Sequence, residues 1–195
     1  TAPEKYRKMF EDKEIHINDN VPVDKREKVA KDLKGYYAHI AAIDDCIGKI
    51  WQTLKELGIE ENTIVVFSSD HGDLLGAHGS WNKQQPYEES IRVPFLLHFP
   101  QLFGKNGRTS DVLLNTPDIM PTLLSLCGLP IPASVEGRDL SGILKGSKKD
   151  NTKHTLISCV QPFGQWARRV GGKEFRGIVT HQYTYTRDLG GPWLL

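Results

Sequence analysis

From Val29 to Leu57, apolar residues return in alternating steps of four and three: Val29, Leu33, Tyr36, Ile40, Ile43, Ile47, Ile50, Leu54 and Leu57. That spacing writes one continuous stripe along a long amphipathic helix. Asp24, with Glu27 three residues later, offers a capping-box-like start, and Gly58 marks the end. Directly after it comes NTIVVFSS, a β-branched run of strand length with no polar alternation, then a glycine-rich loop. A run buried on both faces, placed between a helix and such a loop, belongs in an α/β sheet. The core is expected to lie against the Ile40-containing face, leaving His39 beside it as a structural residue.

The remaining segments extend this layout. An entry arm over residues 1–23 carries Pro3 and Pro22 without a sustained period and reads as loop with one short helical turn. VPFLLHFP, Val93 to Pro100, is a second strand bounded by prolines. Thr116, Pro117 and Asp118 open a helix that Gly128 closes, with Pro121 expected to bend or shorten its first turn. After Ile131 the texture turns to Gly, Ser and Lys. Strand-like runs then follow at His154 to Val160, Phe175 to Thr180 and Gln182 to Arg187, without intervening helices, which predicts a small antiparallel sheet. The expected division is residues 1–132 for an α/β portion and 133–195 for a linker and small α+β subdomain.

Composition narrows the function classes. A net charge of +1 and the absence of a basic stripe interleaved with aromatics argue against a nucleic-acid partner. No apolar run reaches membrane-spanning length. The charged opening TAPEKYRKMFEDKEI does not read as a secretory signal. Cys46, Cys127 and Cys159 are widely spaced and odd in number, and are expected to be buried thiols acting as small hydrophobes.

The chemistry gathers in SSDHGDLLGAHGSWNK. In an open α/β sheet the ligand crevice lies beyond the carboxyl ends of the strands, and Asp70 and His71 stand there. A carboxylate and an imidazole can bind a divalent cation, Gly72, Gly76 and Gly79 let the backbone approach a ligand, and Lys83 offers a point positive charge to an oxyanion. Asp-His-Gly is equally a good turn, its carboxylate taking backbone N–H groups. His78 either lines the pocket beside Lys83 or holds the loop. Asp44 and Asp45 point about 100° apart on the helix and read as surface. Glu88 and Glu89 read as braces, with Arg92 a candidate partner for them.

Taken together, Asp70-His71-Gly72, Leu75-Gly76, His78-Gly79, Lys83, Glu88 and Val93-Pro94, followed by TPDIMPTLLSLCGLPIP and EGRDL, resemble the later part of the catalytic region of sulfatases, in the alkaline-phosphatase-like superfamily. The resemblance implies an α/β fold, part of an alkaline-phosphatase-like sandwich with helices packed on a mixed sheet, plus a small C-terminal antiparallel sheet. It implies sulfate-ester hydrolysis by a formylglycine nucleophile, with Asp70 and His71 on a divalent cation and Lys83 on the sulfate. Calcium is the usual metal; the imidazole also admits Mg2+, Mn2+ or Zn2+.

None of the three cysteines lies in a Cys-x-Pro-x-Arg-like motif: they stand in DDCIG, SLCGLP and ISCVQP. The chain therefore resembles a C-terminal portion, with the formylglycine expected upstream. Such a portion is expected to be inactive alone, to bind metal weakly, and to expose a sheet edge and apolar helix faces that invite self-association. The implied substrate is a sulfated small molecule or sulfated saccharide; the implied compartment is periplasmic, extracellular or lysosomal. A phosphonate or phosphodiester hydrolase of the same superfamily and a catalytically silent binding domain are the alternatives.

Overall fold

The computed structural model describes residues 2–195, the side chain of Gln165 excepted. The chain forms two compact units, the first ending at Gln101 and the second spanning Leu102–Leu195.

The first unit is built on its long helix. A short helix α1 (Glu4–Lys8) in the entry arm precedes a single turn at Val23–Lys25 and then α2 (Arg26–Glu56). The expected capping box does not form: Lys25 is the N-cap residue, and no side chain caps the helix. The turn at Val23–Lys25 supplies the reason, because it already carries the chain into helical geometry ahead of α2, with Lys25 N–H bonded to the Pro22 carbonyl at 3.0 Å.

The expected core face of α2 is also corrected. Tyr36, Ile40, Ile43, Ile50 and Leu57 are exposed, as is His39, whereas Val29 and Ala38 are buried. Of the predicted stripe, Val29 is buried against Gly76, and beside the stripe small Ala38, Ala41 and Ala42 let α1 approach closely. Ala2, Tyr6 and Ala38 form a cluster that Phe10, Ala41 and Ala42 complete. Tyr6 Oη donates to Asp45 Oδ2 at 2.7 Å and Lys5 Nζ reaches the same oxygen at 3.0 Å. Asp45 is thus a tie between the two helices.

Beyond α2, β1 (Val65–Ser68) pairs antiparallel with β2 (Phe95–His98), Val65 opposite His98 and Ser68 opposite Phe95. Between them run the glycine-rich loop and a helical turn α3 (Glu88–Ile91). Short helix α4 (Pro100–Phe103) follows β2. The Trp51 ring of α2 meets His98 edge-on at 4.5 Å and donates its Nε1–H to Glu60 Oε1 at 2.8 Å, anchoring the strand pair to the helix.

In the second unit, α5 (Thr116–Leu126) begins on a full capping box: Asn115 caps the helix and Asp118 Oδ2 accepts from the Asn115 N–H at 3.2 Å. Pro121 lies inside α5, fully buried, without ending it. The carbonyl that an ordinary residue at 121 would bond is that of Pro117, and Gly137 covers it so closely that a Cβ there would stand 1.8 Å from that oxygen. Arg138 then locks onto Asp118, with Nη2 to Oδ2 at 2.6 Å and its own N–H to Oδ1 at 2.8 Å. Burial pushes the Asp118 carboxyl up, but these bonds from Arg138 and the N–H of Asn115 outweigh it, so the group lies below the usual carboxylate range. Helix α6 (Ser141–Leu144) follows.

The unit closes with an antiparallel sheet in the order β3 (Thr155–Cys159), β4 (Phe175–Val179), β5 (Thr184–Asp188) and β6 (Gly191–Leu194). The first three match the sequence reading. β6 escaped it because Gly-Gly-Pro spells a turn; Pro192 is tolerated because β6 is an edge strand. Gly177 faces Thr186 across β4 and β5, where a Cβ would come within 2.4 Å of the Tyr185 carbonyl.

The thiol expectation fails: Cys46 and Cys127 are exposed and Cys159 is half-buried. Cys46 rides on the open side of α2, and Cys127 stands just past the end of α5, positions that neighbouring residues do not cover.

Candidate functional site

Strand β1 delivers its C-terminal end into the loop, and three of the four sequence-predicted site residues gather there. Asp70 Oδ2 lies 3.4 Å from His71 Nε2, and Lys83 Nζ stands 2.5 Å from the same nitrogen. His71 Nδ1 is 2.7 Å from the Gly72 carbonyl, which can only accept, so Nδ1 carries the proton and Nε2 presents its lone pair. Lys83 therefore donates to Nε2. Asp70 is well exposed and His71 half-buried, so a carboxylate, an imidazole lone pair and an ammonium share one accessible point.

The loop that brings Lys83 back over twelve residues is held by identifiable bonds. Asp73 Oδ1 accepts from the N–H groups of Leu75 and Asn82, both at 2.9 Å, and the Leu74 N–H donates to the Asn82 carbonyl at 2.8 Å. One carboxylate thus clamps both limbs immediately before Lys83. The clamp confines a strained backbone, since Leu75, His78, Asn82 and Gln84 all take positive φ. Gly72 sits so close to the Glu89 carbonyl that a Cβ would stand 2.0 Å from it, and its N–H donates to the Ser90 carbonyl at 2.9 Å. Gly76, at φ +92°, presses on buried Val29, whose Cγ2 a Cβ would approach to 2.2 Å. The glycines of this loop serve packing on α2 and α3 at these points.

His78 is engaged elsewhere. Its ring stacks on Tyr87 with centroids 3.8 Å apart, and its Nε2 lies 3.2 Å from Asn20 Nδ2 and 3.6 Å from Glu89 Oε2. Asn20 also donates to Glu89 Oε1 at 2.6 Å. This cluster ties the entry arm to the loop. Glu88 pairs with Arg92 at 3.7 Å. Trp81 is clamped against α2, with Lys28 4.6 Å above its ring and its Nε1–H on Asp32 at 3.3 Å.

Sequence reasoning passed over Asn20, Asp73, Trp81 and Tyr87. Asp73 had a legible signal, an Asp opening a glycine-rich turn. Asn20 had none, since its contact with His78 joins residues far apart in the chain.

Carboxylate oxygen and imidazole nitrogen are donors suited to a divalent cation, and Asp70 and His71 present them together. Among the described residues no group of three or more His, Cys, Asp or Glu is placed to hold a metal ion. The pair therefore fits part of a cation site.

A family model described as "Sulfatase" matches residues 1–129, and one described as "N-sulphoglucosamine sulphohydrolase, C-terminal" matches residues 76–188. The chain belongs to the sulfatase family. An ulvan-active sulfatase of Formosa agariphila is 41% identical over 194 residues, covering 98% of this chain and 37% of that protein. The structure of a sulfatase candidate from Bacteroides fragilis superposes with a TM-score of 0.84 at 29% identity, over 96% of this chain and 41% of that one. Another, solved in complex with its substrate D-glucosamine-2-N,6-O-disulfate, gives a TM-score of 0.73 at 28% identity, over 82% and 32%. The sulfatase chain described here thus spans about a third to two fifths of these relatives, and its α/β architecture is theirs.

Proposed function

We propose that this chain supplies the cation-side and anion-side residues of a sulfuric-ester hydrolase acting on a sulfated saccharide or sulfated small molecule. The observation that carries the reading is the convergence of Asp70, His71 and Lys83 at the end of β1. A lysine ammonium is a compact charge able to meet the oxygens of a sulfate ester, and a donor placed in advance is worth most where negative charge grows. Lys83 takes that role, held in place by the Asp73 clamp.

Asp70 and His71 would hold the divalent cation, calcium being the family's usual ion. When bound, that ion neutralises sulfate oxygens. The Nδ1–H bond of His71 to Gly72 leaves Nε2 as the ring's acceptor, which takes the Lys83 ammonium in this structure and would turn to the cation when it binds. The formylglycine nucleophile and the other metal ligands are assigned to protein outside these 195 residues, because Cys46, Cys127 and Cys159 stand apart from any nucleophile motif. Accordingly, the isolated chain should turn over no ester. The relative whose substrate is a disulfated glucosamine supports a saccharide as the class.

The test is an assay of the intact protein on an aryl sulfate, a sulfated monosaccharide and a matched phosphonate ester. Sulfate esters should be preferred, and Lys83→Ala should lower kcat/KM by about 10^2 to 10^3. Asp70→Asn should raise the metal concentration needed for activity. Preference for the phosphonate would place the enzyme in the rival class, and unchanged kcat/KM in Lys83→Ala would remove the lysine from the site. Turnover of an aryl sulfate by the 195-residue chain alone would overturn its inactivity.

A further inference from the structure

The Asp73 clamp fixes the internal shape of the Lys83 loop, and a separate set of contacts seats that loop on the long helix of the first unit. Lys25, Lys28, Val29 and Asp32 stand at i, i+3, i+4 and i+7, so they share one face at the start of α2, with Lys25 as its N-cap residue. Each meets the glycine-rich loop. Lys25 Nζ donates to the Gly79 carbonyl at 2.9 Å, and Val29 lies against Gly76, where a Cβ would approach its Cγ2 to 2.2 Å. Lys28 Nζ stands 4.6 Å from the centroid of the Trp81 ring, and Asp32 Oδ2 accepts from the Trp81 Nε1–H at 3.3 Å. Lys28 and Asp32 are themselves an ion pair, so the two groups that hold the indole also hold each other.

Trp81 is the member of this set nearest to Lys83 in the chain. One residue, Asn82, lies between them. Its N–H donates to Asp73 Oδ1 at 2.9 Å, its carbonyl accepts from the Leu74 N–H at 2.8 Å, and its φ is held at +66°. Bonded on both sides, Asn82 is no hinge that could absorb a shift of Trp81. A displacement of the indole therefore carries through to the Lys83 backbone. Lysine makes that matter, because its ammonium rides on a flexible four-carbon stem and reaches a fixed point only if the backbone beneath it is placed. Misplacement by about 1 Å, from a change away from the reacting atoms, can cost about a hundredfold in rate.

An indole suits this task. It offers a cation a broad π face and a carboxylate an N–H from one rigid side chain. Alanine would lose both contacts, whereas phenylalanine would keep the first.

We propose that Trp81 is a positioning residue for Lys83, its indole docked on Lys28 and Asp32 of α2 so that the ammonium is fixed at the end of β1. This role rests on the sulfate contact proposed for Lys83.

The test is a double-mutant cycle in the intact protein, read as kcat and KM on an aryl sulfate, over the parent, Trp81→Ala, Lys83→Ala and the pair. Trp81→Ala should lower kcat by about 10 to 10^2 and change KM by less than about threefold, because a displaced ammonium is missed most where charge grows in the transition state. In the Lys83→Ala background the same change should cost less than about threefold, since the group through which Trp81 acts is gone. Trp81→Phe, which keeps a ring under Lys28, should stay within about threefold of the parent kcat. A general loss of folded enzyme lowers the rate in both backgrounds alike and cancels from the cycle. The proposal is overturned if Trp81→Ala costs the same factor with and without Lys83, if it leaves kcat unaltered in the parent, or if the Phe variant is as slow as the Ala variant. Each of these outcomes can stand beside a strongly impaired Lys83→Ala, which keeps the sulfate contact. Unaltered kcat/KM in Lys83→Ala would instead remove that contact, and the role of Trp81 with it.

Discussion

Replacing Asp73 tests whether the Lys83 loop is held by one carboxylate. Asp73 Oδ1 takes the Leu75 and Asn82 N–H groups at 2.9 Å each, and both donors belong to residues with positive φ, at 44° and 66°. Left-handed backbone at a non-glycine residue costs on the order of 1 to 3 kcal/mol and persists only where surrounding bonds impose it. Each hydrogen bond to a charged acceptor contributes about 1.5 to 3 kcal/mol, toward the low end where water can substitute. Asp73→Ala removes both bonds, yet the freed loop recovers part of its strain, so the net loss of loop stability should be about 2 kcal/mol. That corresponds to roughly a thirtyfold larger opening equilibrium constant at these amides, at 1.4 kcal/mol per factor of ten. Native-state hydrogen exchange reads it directly at Leu75 and Asn82. Asp73→Asn keeps an acceptor oxygen in the same place and should restore protection to within about threefold. Unaltered exchange in Asp73→Ala, or an Asn variant as loose as the Ala variant, would refute the clamp.

Further outcomes follow from the second unit and from the thiols. Asp118 has a folded pKa below its unfolded value near 3.9, so its pairing with Arg138 stabilises at higher pH and is lost as pH falls through the folded value. Asp118→Asn should cost about 2 kcal/mol at neutral pH, with the gap to the parent closing below about pH 4 in an acid series of denaturant melts. A gap that stays constant down to pH 2 would dissociate the carboxylate charge from stability. Cys46 and Cys127 should react rapidly with an aromatic disulfide reagent, while Cys159, whose thiol burial pushes up, should react in a slower phase. Three equal rates would contradict the burial order.

Elements governed by neighbours in the chain were legible beforehand. The amphipathic period set α2, the β-branched run set β1, and Pro117 in the first turn marked the start of α5. The two limbs of the candidate site that lie close in sequence, Asp70-His71 and Lys83, were legible for the same reason: a short glycine-rich loop must return near its starting strand. What stayed hidden required distant partners. The role of Asn20 beside His78, the tie from Tyr6 to Asp45, and the Gly137 cover over the Pro117 carbonyl each join segments whose approach no local pattern encodes.

The sequence by itself determined the kinds of elements, their order and the chemical groups at the end of β1, because periodicity and turn chemistry act between near neighbours. Tertiary structure decided that α1 meets α2 at small Ala38, Ala41 and Ala42, where Tyr6 can approach closely. It also decided that His78 serves the loop's anchorage through Asn20, Tyr87 and Glu89. Burial and partnership are properties of contact between segments, and those contacts exist only once the chain has folded.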